Sequence, residues 1–181
     1  MTEREIKLEF ADAAGARAAI EGAGATVLYG RRLQRDTIFD TPDGRLRVAG
    51  HVLRLRDDAG HAYLTVKGPV QGGAMKVREE RETAVADGSV VAASFEVLGL
   101  VPAFRYEKYR TEFALADTVI ALDETPVGVF VEVEGPEAAI LAVTRALGRT
   151  PADFLRESYR ALFRARTGAT ADPCNMRFPP A

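Results

Sequence analysis

The sequence is poor in the residues that most often declare a chemistry. Its 181 residues include one cysteine, Cys174, which excludes a disulfide framework and a cysteine-based zinc site within one chain. Tryptophan is absent, and the two histidines, His51 and His61, have no cysteine or clear acidic partner to complete a zinc site. No Ser-His-Asp arrangement is suggested. Gly22-Ala23-Gly24 follows a helical segment instead of opening one, so it is not a dinucleotide loop. No apolar run reaches the ~20 residues of a membrane span. The opening MTEREIKLEF is acidic and strand-like, without the marks of a signal peptide, so a cytoplasmic protein with no membrane partner is expected. An excess of one charge is missing too. Lys+Arg number 24 and Asp+Glu 26, for a net charge of -2, so no nucleic-acid footprint is expected from charge alone.

What is present suffices for a folded core: 47% hydrophobic and 28% charged residues, which is not a disordered composition. The length fits one domain, read here as residues 1–166, followed by a loosely held tail, 167–181, rich in Pro, Gly and Ala. Met1–Phe10 alternates strictly, with Glu3, Glu5, Lys7 and Glu9 on one parity and Ile6, Leu8 and Phe10 on the other, the period of a strand. Further strands are expected at Thr26–Phe39 (interrupted by Gly30), His51–Asp57, His61–Lys67, Met75–Val85, Phe104–Leu115, Val119–Asp123 and Val129–Glu134. Helices are expected at Asp12–Gly22, Gly88–Leu98, Pro136–Leu147 and Asp153–Arg166, with a helical turn at Arg45–Ala49. Without strict βαβα alternation, the reading is α+β, with a mostly antiparallel sheet curled toward a barrel.

The informative pattern is which charges share a strand face. Arg54 and Arg56 alternate with Leu53 and Leu55; Thr65 and Lys67 with Leu64 and Val66. Lys76, Arg78, Glu80 and Glu82 share a parity, as do Lys108, Arg110 and Glu112, and Glu132 and Glu134. One such strand is ordinarily a solvated outer face. Dense faces of both signs on at least five strands fit the inside of a closed barrel, and eight strands can enclose one ligand. A triphosphate suits such a lumen. Arg forks and Lys point charges bind phosphate oxygens, and carboxylates join the site by holding Mg²⁺ or Mn²⁺.

The motifs themselves resemble the CYTH, or triphosphate tunnel, family. Glu3-Arg4-Glu5-Ile6-Lys7 is similar to its ExExK signature, and Asp36 to Pro42 to its DTYFDTP-like segment. Leu53-Arg54-Leu55-Arg56, Leu64-Thr65-Val66-Lys67-Gly68 and Arg78-Glu79-Glu80-Arg81-Glu82 resemble its LRLR, LTLKG and RxExE strands. Lys108 with Arg110, Ala121-Leu122-Asp123, Val131 to Gly135 and Ser158-Tyr159 continue the match in order. The resemblance implies an eight-stranded antiparallel closed β-barrel with helices packed outside. It implies a divalent metal, Mg²⁺ or Mn²⁺, held by Asp123, Glu132 and Glu134. Glu3 and Glu5 form a second acidic cluster that binds another metal or orients the attacking water. It assigns the phosphates to Arg54, Arg56, Lys67, Arg78, Lys108 and Arg110, and the organisation of the nucleophile to Lys7 with Glu5. Homodimers occur often in the family. One departure stands out: some hydrolytic members pair the ExExK lysine with a tyrosine where Ile38 stands here, leaving Tyr29, Tyr63 or Tyr109 as spatial substitutes. The implied function is metal-dependent hydrolysis of inorganic or thiamine triphosphate. The alternatives are a class IV-type adenylyl cyclase and a non-catalytic polyphosphate- or nucleotide-binding module.

Overall fold

A computed structural model describes residues 2–170 and 174–179. The chain runs β1 (Thr2–Phe10), α1 (Ala13–Gly22), β2 (Thr26–Asp40), α2 (Arg45–Val48), β3 (Val52–Asp58), β4 (His61–Lys67) and β5 (Lys76–Val85). It continues with α3 (Gly88–Val97), β6 (Val101–Leu115), β7 (Thr118–Thr125), β8 (Gly128–Glu134), α4 (Glu137–Ala146), α5 (Tyr159–Thr167) and β9 (Cys174–Met176). The strands pair in the order β2-β3-β4-β5-β1-β8-β7-β6, and β6 pairs back with β2 to close the barrel. All eight pairings are antiparallel. The fold is therefore α+β, an eight-stranded closed barrel with helices around it.

The alternation of β1 decides how this barrel is built. Its charged parity faces the lumen, so its apolar parity must be covered from outside. Ile6 and Leu8 join Phe113, Ile120, Leu122, Val131 and Val133 in one core cluster with Ala16 and Ile20 of α1 and Ile140 and Val143 of α4. The main hydrophobic core thus lies between the barrel wall and two helices, and the barrel axis is left polar. Asp12 caps α1 by accepting from the Gly15 amide at 2.7 Å. Asp40, almost fully buried, accepts from the amides of Leu46 and Arg47 and anchors α2.

Three segments differ from the sequence reading. β2 runs unbroken through Gly30, because register shifts against β6 around Val27, Tyr29 and Arg32 absorb the irregularity. The helix expected over Asp153–Arg166 is split. A 3-10 turn at Pro151–Asp153 is closed by a Thr150–Asp153 capping box, and α5 starts only at Tyr159, after Ser158 caps it by accepting from the Ala161 amide. Between them the chain is extended, with the Leu155 amide donating to the Lys7 carbonyl at 2.8 Å.

The third difference concerns the tail, of which residues 171–173, 180 and 181 lie outside the described residues. At 174–176 it is docked, not loose. β9 pairs in parallel with Phe104–Tyr106, the part of β6 that β7 does not reach. Cys174 and Met176 are buried with Phe104, Tyr106, Phe130, Tyr159 and Leu162, so burial of two side chains and a shared ladder overcome the composition. Met176→Ala should lower stability by about 2–5 kcal/mol, whereas Val97→Ala at an exposed site should stay within about 0.5 kcal/mol. Urea unfolding of the two variants checks this; equal midpoints would mean that β9 contributes nothing.

Candidate active site

The barrel encloses a cavity of about 800 Å³. Its wall carries Glu3, Glu5, Lys7, Arg54, Arg56, Lys67, Arg78, Lys108, Arg110, Glu132 and Glu134, so eleven of the twelve side chains singled out in the sequence meet in one space. The twelfth, Asp123, is fully buried just behind that wall.

Strand register explains how so many charges tolerate burial. Opposite signs stand across the ladders: Asp36 faces Arg56, Lys67 faces Glu80, Glu3 faces Arg78, Glu5 faces Lys76, Lys7 faces Glu132 and Arg110 faces Asp123. Directly opposed charges of opposite sign stabilise a sheet, and a desolvated charge demands such a partner. The contacts follow. Lys67 Nζ lies 2.7 Å from both Glu3 and Glu80, and Arg78 Nε 3.3 Å from Glu3. Arg56 Nε donates to Asp36 at 2.9 Å, and Arg54 Nε lies 3.5 Å from the same carboxylate. Asp36, unassigned a role from sequence, is thereby the anchor of two phosphate-binding candidates. Burial alone would raise its pKa, but Arg56 and Arg54 hold it below the usual carboxylate range.

Asp123 is the second anchor. It accepts from Lys108 Nζ at 2.8 Å, from Arg110 Nε at 2.7 Å and Nη2 at 2.6 Å, and from the Tyr159 hydroxyl at 2.7 Å. Arg110 Nη2 also donates to Glu132. Burial opposes ionisation of both acids, yet Arg110 and Lys108 keep them charged and below their ordinary range. Burial, reinforced by Arg110, pushes Lys108 down to about 8.

Lys7 is nearly inaccessible, and burial lowers its pKa against the pull of Glu132. Its Nζ lies 3.6 Å from Glu132, donates to the Glu157 carbonyl at 3.1 Å and sits 3.9 Å from the centre of the Tyr159 ring. The tyrosines on the cavity wall are Tyr106 and Tyr159, among the described residues. Tyr29 and Tyr109 instead lie under Arg32 and Arg31, and Tyr63 is not on the wall. Sequence reading missed Tyr159 as a partner of Lys7 because it placed that residue inside a continuous helix; the cap at Ser158 was the available signal.

Two pairs break the rule of opposite signs. Arg32 faces Arg110, where Asp58, Glu112 and Asp123 supply the balancing charge, and Glu5 faces Glu134, a like-charge pair that is unfavourable in itself. Desolvation, then the charges of Glu3 and Glu80, raise the Glu134 carboxyl to about 7. Among the described residues no three acids stand close enough together to hold a metal ion as they are. Glu3 is bound by Lys67 and Arg78, Glu5 by Lys76, and Glu132 and Asp123 by Arg110, so these carboxylates and Glu134, oxygen donors of the kind Mg²⁺ and Mn²⁺ take, would hold one only after those cations move to another anion.

With the geometry established, the chain can be placed. The CYTH domain model matches residues 1–159, and the chain belongs to that family, whose proteins are typically enzymes and whose tunnel enzymes generally depend on a divalent metal. It is 26% identical over 173 residues, 90% of this chain and 98% of the other, to a Methanocaldococcus jannaschii protein named "Putative adenylate cyclase MJ0240". The solved structure of PH1012 from Pyrococcus horikoshii matches with a TM-score of 0.77 at 25% identity, over 88% of this chain and 98% of that one. The Hippeastrum protein HpAC1, described as having a dominant triphosphatase activity, shares the fold with a TM-score of 0.68 at 18% identity, over 91% and 96% of the two chains. No helix of the described residues is long and apolar enough to cross a membrane.

The Glu134 environment sets a pH dependence. Its folded-state pKa lies above the ordinary 4.5, so between about pH 4.5 and 7 the unfolded chain loses a proton that the folded one keeps, and stability falls as pH rises. Glu134→Gln removes that penalty. In EDTA, its melting temperature relative to wild type should climb from pH 4.5 to 7 and then level off. A pH-independent difference would refute the raised pKa.

Proposed function

We propose that this protein is a divalent-metal-dependent hydrolase of a triphosphate, either inorganic triphosphate or thiamine triphosphate, bound inside the barrel. The observation that carries the reading is the pairing in the lumen. Arg54, Arg56, Lys67, Arg78, Lys108 and Arg110 are all held by carboxylates in one cavity of about 800 Å³. A triphosphate carries more charge per volume than the carboxylates and offers oxygens that match Arg forks bidentately. It can therefore take over these cations without any one of them being left unpaired in a dry site.

The residues divide the work. The six cations would grip the phosphate oxygens and hold the chain in line for attack. Glu3, Glu5 and Glu134, with Glu132 and Asp123 released from Arg110 and Lys108, would hold Mg²⁺ or Mn²⁺, which supplies neutralisation of the phosphate charge. Lys7 and Glu5 would organise the water, Glu5 accepting its proton as the oxygen attacks the terminal phosphorus. The bond from that phosphorus to the bridging oxygen breaks, releasing phosphate. The strap at 154–159 keeps Lys7 in place through its carbonyl, its Nζ and the Tyr159 ring.

A second reading is an adenylyl cyclase, in which the ribose 3′-oxygen of ATP attacks the α-phosphorus and diphosphate leaves. The name carried by the Methanocaldococcus relative favours it. An assay separates the readings. The protein is offered inorganic triphosphate, thiamine triphosphate and ATP with Mg²⁺, Mn²⁺ or EDTA. Phosphate release abolished by EDTA supports the hydrolase. Cyclic AMP with diphosphate supports the cyclase, and binding without product supports a non-catalytic module. Glu134→Gln should raise the metal concentration for half-maximal rate about 10–100-fold; unchanged metal dependence would remove Glu134 from the ligand set.

A further inference from the structure

Helix α3 carries more apolar surface than its seat on the barrel covers. Its inner face, Val91, Ala92 and Phe95, is half-buried against the outside of the wall. Phe95 meets the Phe39 ring edge-on at 5.1 Å, and Gly88 stands so near the wall that a Cβ there would come within 3.1 Å of Ala62. The outer face is apolar as well. Val90, Ala93, Ser94 and Val97, spaced i, i+3, i+4 and i+7, form one exposed stripe, and Leu98 follows it. Val90 is 60% exposed, Val97 88% and Leu98 74%, and no residue of the helix is buried. A helix that is apolar all round ordinarily lies inside a core; this one keeps one whole apolar side in water. Val66 on β4 extends the bare surface. It stands opposite Leu53, which on its other side pairs with the Phe39 that Phe95 touches, and it too is exposed.

The stripe itself says what covers it. It reads alike from either end about a point between Ala93 and Ser94, with a valine three residues out on each side. Two copies laid antiparallel about a two-fold axis at that point set Val90 of each on the partner's Val97, the self-complementary form of contact. Small side chains at the axis let the two backbones approach closely. The polar atoms tolerate a dry contact. Ser94 Oγ donates back to the Val90 carbonyl at 2.8 Å and needs no water, and Ser89 Oγ donates to Asp87 at 2.6 Å. The charges fit the same arrangement. Asp87 and Glu96 are the only ionisable groups from cap to cap. Antiparallel packing brings Glu96 beside the first turn of the partner's α3, the positive end of its helix dipole. A lipid surface fits less well, because helices that lie on membranes hold anionic headgroups with Lys and Arg, and α3 has neither.

We infer that α3 is the contact surface for a second copy of this chain, packed antiparallel on its own α3 about a two-fold axis at Ala93 and Ser94. A helix of ten residues is about 15 Å long. With its flanks it covers less than the ~800 Å² per partner of a standard interface, so the dimer is weak and its population follows concentration. This holds whatever the barrel binds.

Sedimentation velocity from micromolar to near-millimolar concentration should show the wild type passing from monomer to dimer. Ala93→Arg sets two guanidinium groups against each other at the axis and should weaken the dimer about tenfold or more. Val27→Lys, an exposed change on β2, should leave it unaltered. Cross-linking reads the direction of packing. The native Cys174 is buried, so Val90→Cys and Val97→Cys each carry one accessible thiol. Mixed and oxidised, the two variants should run as a linked dimer on a non-reducing denaturing gel, while each alone stays monomeric. Four outcomes overturn the inference: a wild type that is monomeric throughout, a dimer that Ala93→Arg leaves intact, a mixture that fails to cross-link, and cross-linking of either variant alone. A monomer that pellets with phosphatidylcholine vesicles overturns it in favour of a lipid-facing helix. If circular dichroism shows that Ala93→Arg has not folded, Ser94→Glu places like charges at the same axis and replaces it with the same expectation.

Discussion

Burying an ion costs several kcal/mol unless a partner of opposite charge comes with it. This barrel puts more than a dozen ionisable side chains in its interior, so the rest of the structure depends on how they are paired. The solution is in the register. Antiparallel strands set Asp36 against Arg56, Lys67 against Glu80, Glu3 against Arg78 and Lys7 against Glu132. A shift by one residue in any of these ladders would send the charges to the outer face and the apolar parity into the lumen. The helices follow from the same choice. With the lumen polar, the apolar core has to be built outside, between the wall and α1 and α4.

Such a network is a poor investment in stability alone, since well-packed apolar residues usually do as well as buried ion pairs. Its value is that it can be exchanged. Asp36 and Asp123 are fully buried behind the wall and hold the arginines from the rear. Glu3, Glu80 and Glu132 hold cations from inside the lumen, where an anionic ligand can replace them. At the Glu5–Glu134 pair like charges meet, and burial with the neighbouring acids Glu3 and Glu80 raises the Glu134 pKa; under the proposed function this is where an added cation would complete the balance.

The C-terminal third of the chain is tied into this balance. The extended strap before α5 binds Lys7 through the Leu155 amide and the Glu157 carbonyl, and Tyr159 joins the Lys7 ammonium to the Asp123 carboxylate. β9 then covers Phe104 and Tyr106 on the edge of β6. A segment remote in sequence from the charged strands therefore fixes the side chain at the centre of the site.

Much of this was present in the sequence taken alone. Two-residue alternation on β1, β3, β4, β5, β6 and β8 placed the charged side chains of the cavity wall on lumen faces, Lys76, Glu80, Glu82 and Glu112 among them, because side chains in a strand leave no third direction. The ordered motifs from Glu3 to Tyr159 supplied the closure of the barrel, which alternation cannot by itself distinguish from an open sheet with one wet face. Tertiary structure decided the rest. Which acid neutralises which base depends on register between strands as remote in sequence as β1 and β8, as for Lys7 and Glu132, and no local pattern encodes that. The same holds for the anchoring of Asp123 by Tyr159, the docking of Cys174 and Met176, and the exposed apolar side of α3. Each depends on which surfaces meet when the barrel closes, and periodicity along the chain reports only which way a side chain points.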